Sequence, residues 1–306
     1  FGHDHTEIVV RPDVAELLPK VILHLDEPIA DPAALTAYLV CREASNHTTV
    51  LLSGVGGDEL FAGYRKYIGH ELAKRYQLLP TFLRRRLLEP LVQALPSLRG
   101  TPLKGYARLA KKMARSGSLA PQERFIMDGT YHNLQERQAL LSKEFRPLTD
   151  GFDPWATHLA YFDRVQDSHF LNQMLYLDTK SFMTSLNLTY NDKMSMASSV
   201  EVRVPFLDRE LAEFVAWHVP PTLKLNGHTT KYIFRKAMEG ILPPEVLKAP
   251  KAGFGAPVDY WLAQDLRPMV NDLLSELRVR QRGYFDPATV SRMIRQHSAG
   301  SREWTY

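Results

Sequence analysis

Two carboxylates follow a run of glycines at Ser53-Gly54-Val55-Gly56-Gly57-Asp58-Glu59, directly after the apolar stretch Val50-Leu51-Leu52. Glycines in such a turn let the backbone adopt positive φ and come close to a ligand. A helix starting after the turn presents free N–H groups and its positive dipole end to an anion. Asp58 and Glu59 oppose that reading unless a cation separates them from the anion. A hard divalent ion such as Mg²⁺ fits, held by carboxylate oxygens with phosphate oxygens completing its shell. The chemistry suggested is a metal–polyphosphate site at the carboxyl end of a strand, where open α/β sheets place ligands. The plainer alternative is a glycine turn with two acids set favourably against a helix dipole.

Three further stretches carry candidate chemistry. In Asn226-Gly227-His228-Thr229-Thr230-Lys231, Asn-Gly marks a turn, Thr229 reads as an N-cap, and Lys231 falls in the first turn of the following helix. A cation there opposes the dipole, yet beside a polyphosphate it adds to the field holding departing negative charge; a surface lysine is the alternative. In Asn191–Asp208, Asp192 reads as the cap of a short helix, and Val200–Val204 alternates with Glu201 and Arg203 as an extended segment with a buried or half-buried ion pair. Asp26-Glu27-Pro28-Ile29-Ala30-Asp31-Pro32 cannot be a regular element; its acids suit metal or ammonium contacts, and Asp31 before Pro32 suits helix capping.

These residues need elements to position them. Thr6–Val10 reads as a strand, Asp13–His24 as a helix, Ala33–Ser45 as a second helix and Thr48–Leu52 as a strand feeding the glycine turn. Residues 1–70 therefore look like the trailing part of a doubly wound α/β domain, and residues 71–306 like a predominantly helical part, broken by Pro80, Pro90, Pro96, Pro102, Pro121, Pro147 and Pro154. Residues 116–155 read as helices with long connections, and Tyr161–Leu188 as one buried helix. Asp208 caps a helix from Arg209 to Trp217, and the glycine–proline loop Lys248–Pro257 leads into another bearing Trp261, with a packing or lid role.

An apolar fraction of 44% over 306 residues supports a sizeable core, of one large domain or two. One cysteine, Cys41, excludes an internal disulfide framework and a four-cysteine zinc site, and makes a cytoplasmic setting the default. No run approaches the ~18 apolar residues of a membrane span. The chain starts at Phe1 without a methionine and reads as a fragment. Residues 65–115 carry 13 Lys and Arg against 2 Glu. A nucleic-acid surface is one reading; a solvated helical face, or a surface docking an acidic partner, is the other. The aromatics Tyr67, Tyr76, Phe82 and Tyr106 follow no stacking pattern, which disfavours nucleic acid.

Four stretches, in order, resemble the synthetase domain of the glutamine-hydrolysing asparagine synthetases: Asp26–Asp31, Ser53–Tyr64, Asp192–Asp208 and Lys248–Pro257. The string Val-Glu-Val-Arg-Val-Pro-Phe-Leu-Asp (200–208) is nearly a family signature. The resemblance implies a partial Rossmann-like ATP-pyrophosphatase parallel sheet followed by helices, with ATP and Mg²⁺ as cofactors. It implies adenylation of the aspartate side chain and displacement of AMP by ammonia from a glutaminase domain, with a homodimer as the candidate assembly. By similarity, Ser53, Gly54, Gly56 and Gly57 contact the nucleotide, Asp58 binds Mg²⁺, Lys231 holds pyrophosphate, and Asp192 lies on the segment facing the substrate. The family's Ser-Gly-Gly pyrophosphate loop does not occur in this sequence, nor does an N-terminal cysteine nucleophile, and Val55 stands where members carry an acid. A ligase for another carboxylate, forming β-lactams or amidating glycans or peptides, is therefore the alternative in the same class. A non-catalytic binding module is the alternative outside it.

Overall fold

The computed structural model describes residues 5–7, 9–10, 12–93, 110, 116, 119–130, 132–249, 254 and 256–299. The chain is mixed α/β and mostly helical, with one short parallel strand pair. In α1 (Val14–Leu25), Asp13 caps by accepting from the N–H groups of Ala15 and Glu16 at 3.0 and 3.1 Å. Val14, Leu17, Val21 and Leu25 recur at helical spacing and are buried. In α2 (Ala33–Ala44), the carboxylate of Asp31 accepts from Ala33 N–H at 2.8 Å, so the expected cap is present although Pro32 sits at the helix boundary. The described residues of Thr6–Val10 form no strand, because no described strand pairs with them.

Strand β1 (Val50–Leu52) leads through the glycine turn into α3 (Gly57–Phe61), and α4 (Arg65–Gln77) follows after a sharp corner. Helix α5 (Pro121–Asp128) packs beneath α4, where Arg124 Nε donates to His70 Nδ1 at 3.1 Å in a buried contact. The helix expected over Tyr161–Leu188 is broken. Ala156–Asp163 ends before a turn in which Gln173 Nε2 donates to the carbonyls of Gln166 and Ser168 at 2.9 and 2.8 Å. The chain resumes as α6 (Phe170–Asp178), widens into a π-helical segment (Thr179–Leu188) and continues as α7 (Thr189–Met196).

Strand β2 (Glu201–Arg203) lies parallel to β1, with Val50 opposite Glu201 and Leu52 opposite Arg203. Glu201 and Arg203 do form an ion pair, at 2.7 Å, but both side chains are more than half exposed. The expected burial fails because this face of the strand pair, which also carries the 75% exposed Leu52, is covered by no described element. Helix α8 (Arg209–His218) is capped by Asp208, as anticipated. Strands β3 (Leu225–Asn226) and β4 (Thr229–Thr230) form a hairpin with Gly227 at φ +57°, and α9 (Tyr232–Ala237) follows. Thr229 is thus a strand residue and not a helix cap: it pairs with Asn226 across the two-residue loop Gly227-His228, where glycine supplies the positive φ at the first loop position.

Three apolar clusters hold this together. Tyr190 and Met194 of α7 pack on Leu17, Val21 and Leu39, with Trp261 against the rim, which gives that tryptophan its packing role. Tyr67, Phe125, Phe162 and Met174 centre the second cluster, and Phe61 with Val215 the third. Each fully buried side chain of this size contributes about 1.5–3 kcal/mol. In the basic block, Arg84 and Arg86 lie over the rings of Tyr76 and Phe82, at 5.5 and 5.3 Å. Lys111, Lys112 and Arg115 lie outside the described residues, as do residues 250–253 and 255 of the Lys248–Pro257 loop.

Lys224 sits at the base of the hairpin, 4% exposed, with Asn172 Oδ1 3.5 Å from its ammonium. Burial pushes its pKa down to about 8. Between that value and the ordinary lysine pKa the unfolded chain binds the extra proton, so stability rises with pH through this window. Relative to Lys224→Met, the wild type should gain roughly 2–3 kcal/mol between pH 7 and pH 10, read from urea unfolding at both pH values. A gap that does not change with pH would show that Lys224 is not buried as an ammonium.

Candidate active site

The site is built where β1 ends. Ser53 N–H donates to the carbonyl of Arg203 at 2.8 Å, which prolongs the strand pairing by one residue, and Ser53 Oγ accepts from Val55 N–H at 3.3 Å. Gly54 is exposed, with open space where a Cβ would stand. Gly56 has φ +94°, and a Cβ there would fall 2.3 Å from Leu207 Cδ2, so conformation and packing both demand glycine. Gly57 opens α3 and lies against Phe206 and the ammonium of Lys231. The turn therefore leaves backbone accessible at Gly54 and uses Gly56 and Gly57 for close packing.

Asp58 and Lys231, 173 positions apart in the sequence, meet here. Lys231 Nζ lies 2.9 Å from Asp58 Oδ1, with side chains 23% and 17% exposed. Lys231 is held by its backbone as well: its N–H donates to the Phe61 carbonyl at 3.1 Å, and its own φ is +53°, a conformation costly for a non-glycine residue. It stands just before α9, not inside its first turn. Phe61 and Phe206 pack on Phe234 of α9 at 5.3 Å each, fixing that helix against α3.

Glu59 does not join Asp58. It is 2% exposed and accepts from Tyr64 Oη at 2.5 Å and from Asn187 Nδ2 at 3.0 Å. Successive helical residues point about 100° apart, so when Asp58 faces Lys231, Glu59 turns into the core. The reading of two carboxylates around one cation is corrected accordingly: of the two, Asp58 faces Lys231 and Glu59 faces the core. Burial, followed by the charge of Glu59, drives the Tyr64 hydroxyl pKa far up, so this phenol stays a donor. Burial raises Tyr190 to about 12, with Asp31 and Glu59 adding to the effect.

Asp192 and Asp26 have partners of their own. Asp192 is exposed on α7, and its carbonyl accepts from Ser195 Oγ at 3.0 Å; it continues the helix and caps nothing, because the π segment runs into α7 without a break. Asp26 pairs with Lys193 at 2.6 Å, which holds its carboxyl below the ordinary range. Among the described residues no group of three His, Cys, Asp or Glu side chains converges as a metal cage. Asp58 alone still suits Mg²⁺, which commonly takes one or two carboxylates and completes its shell with water and substrate phosphates.

Gly63 lies within the Ser53–Tyr64 stretch, whose spacing alone gives it no role. A Cβ at Gly63 would lie 1.8 Å from Asp58 Oδ1 and 2.4 Å from Lys231 Cε. The ion pair rests on this glycine.

A parallel strand pair with a glycine turn, a short helix and a carboxylate–lysine pair at the strand's carboxyl end is the layout of an α/β ligand site. The chain belongs to the asparagine synthase family, which it matches over residues 1–306. It is 35% identical over 300 residues to asparagine synthetase [glutamine-hydrolyzing] 1 of Bacillus subtilis (strain 168), covering 98% of this chain and 45% of that protein. It is 28% identical over 255 residues to asparagine synthetase [glutamine-hydrolyzing] 3 of the same organism, covering 83% and 34%. Similarity also extends to a protein named amidase chyE from Penicillium rubens, 29% identical over 298 residues, covering 89% of this chain and 42% of that one. The chain thus spans less than half the length of each of these relatives. No helix among the described residues is long and apolar enough to cross a membrane.

Gly63→Ala should displace the Asp58–Lys231 pair and cost about 1–3 kcal/mol by overpacking. The loss should shrink when Lys231→Ala is combined with it, since one of the two clashing side chains is then gone. Strict additivity in chemical unfolding of the double variant would contradict this account.

Proposed function

We propose that this chain is the carboxyl-terminal part of the synthetase domain of an ATP-dependent amide-forming ligase. Residues 1–70 belong to its nucleotide-binding side and 71–306 to its helical part. The observation that carries the reading is the Asp58–Lys231 pair, 2.9 Å apart beside an accessible glycine turn. Opposite charges poised at one strand end suit a ligand with both a cation and an anion, and magnesium-bound polyphosphate has both.

In this reading a carboxylate oxygen of the acceptor, aspartate in the first instance, attacks the α-phosphorus of ATP and displaces pyrophosphate. Ammonia from a glutaminase domain then attacks the acyl carbon and displaces AMP. Ser53 and Gly54 line the nucleotide, and Gly56 and Gly57, packed against Leu207 and Phe206, shape the turn that presents them. Asp58 is the protein ligand for Mg²⁺, which when bound neutralises phosphate charge. Lys231, released from Asp58, holds the oxygens of the departing pyrophosphate, where a fixed cation lowers the barrier. Asp192 is assigned to the amino-acid substrate on motif similarity alone.

Val55 favours a second reading in which another carboxylate is the acceptor. The side chain is apolar, and its N–H is engaged by Ser53 Oγ, so the turn supplies no acid at the position where the family carries one. The relative named an amidase is consistent with such variation.

Carboxylate-dependent exchange of labelled pyrophosphate into ATP, on the complete natural polypeptide, separates the two. Exchange requiring aspartate supports the first reading; exchange with other carboxylates only supports the second. Lys231→Ala should slow exchange about 100-fold or more, by the measure of a lost transition-state charge contact, while thermal unfolding stays cooperative. Wild-type exchange in that variant would remove Lys231 from the site.

A further inference from the structure

Two polar anchors fasten the corner between α3 and α4 to the long helix α6–π–α7. Asp178 accepts from Lys66 Nζ at 2.7 Å and from Tyr67 Oη at 2.5 Å. Asn187 Nδ2 donates to Glu59 at 3.0 Å and lies 3.2 Å from Tyr64 Oη. All four corner residues lie within Glu59–Tyr67, the stretch that contains Gly63. Asp178, Glu59 and Tyr67 are buried, and Lys66 reaches its partner between the rings of Phe125 and Phe182, 4.9 and 5.0 Å from their centroids.

The two anchors bracket the π-helical segment: Asp178 precedes Thr179–Leu188 and Asn187 is its penultimate residue. They are nine residues apart. At the α-helical advance of about 100° per residue, nine steps end half a turn away, on the opposite face. A π-helix, with its i→i+5 bonding, advances by about 82° per residue, and nine steps return close to the same face. The widened turns are therefore what let both side chains reach one corner.

We infer that the π-helical segment is a register device for the active site, and that Glu59, Tyr64 and Asn187 are positioning residues that hold Asp58 and Lys231 in contact. The link is short. Glu59 adjoins Asp58 on α3, Gly63 N–H donates to the Asp58 carbonyl at 2.8 Å, and Gly63 is the surface on which the ion pair rests. With Glu59 fixed from the core side, α3 cannot rotate, and Asp58 stays aimed at Lys231. The assignment of these residues to a ligase rests on the function proposed above; the clamp itself is a statement about the ion pair.

The test reads the pair directly. Acetylation of Lys231 by sulfo-N-hydroxysuccinimide acetate is followed by peptide mass spectrometry on the complete natural polypeptide. Lys236, half exposed on the helix α9 that Lys231 precedes, is the internal control. Glu59→Ala and Asn187→Leu should each accelerate labelling of Lys231 at least fivefold with Lys236 unchanged. Glu59→Gln, which keeps an acceptor for Tyr64 and Asn187, should restore the wild-type rate. Unchanged Lys231 labelling in both variants, or a parallel rise at Lys236, would overturn the inference, the second by showing general loosening. Failure of the wild type to exchange pyrophosphate with any carboxylate would sink the ligase reading, and the labelling ratios would still decide the clamp.

Discussion

The contact between Asp58 and Lys231 is the constraint that the rest of the structure serves. A partly buried ion pair is held only if its geometry is enforced, because desolvating two charges offsets much of their attraction. Here the enforcement comes from every side. The backbone of Lys231 is tied to the end of α3 in a left-handed conformation. Gly63 leaves the space the pair occupies, and Phe61, Phe206 and Phe234 lock α3 against α9. Glu59 is spent on the core side, bonded to a tyrosine and an asparagine, so that Asp58 alone faces outward. The pairing also keeps both charges satisfied.

Much of this was legible in the sequence, for identifiable reasons. The Val50–Leu52 run with its glycine turn, the spacing of Val14, Leu17 and Val21, and the Asn226-Gly227 turn are local signals set by neighbours a few residues away. Local chemistry also placed the caps at Asp31 and Asp208. What sequence could not show is non-local. Neither the meeting of Asp58 with Lys231 nor the reach of Asn187 to Glu59 leaves any periodicity in the chain. Glu59 was misread because adjacent acids look alike in a sequence, while a helix sends them about 100° apart. The π segment was misread as part of one regular helix because its apolar residues, Phe182, Met183, Leu186 and Leu188, are too few to fix a period.

The exposed ion pair of Glu201 and Arg203 teaches the same lesson from the other side. Parallel strands are ordinarily covered on both faces, and valines flanking two charges suggested a buried pair. The described residues leave that face open, with Leu52 exposed beside the charges. The two strands nonetheless hold the glycine turn at their carboxyl end, which is all the site requires of them, and the helices supply the remaining walls.

The central claim is that Asp58 and Lys231 serve the metal and the phosphate of one ligand. Calorimetric titration of the complete natural polypeptide with pyrophosphate, with and without Mg²⁺, tests it most directly. The account predicts binding that depends on Mg²⁺, with the dependence lost in Asp58→Asn and binding weakened, but still Mg²⁺-dependent, in Lys231→Ala. Equal affinity in the presence and absence of Mg²⁺ would contradict it and leave the pair a structural contact.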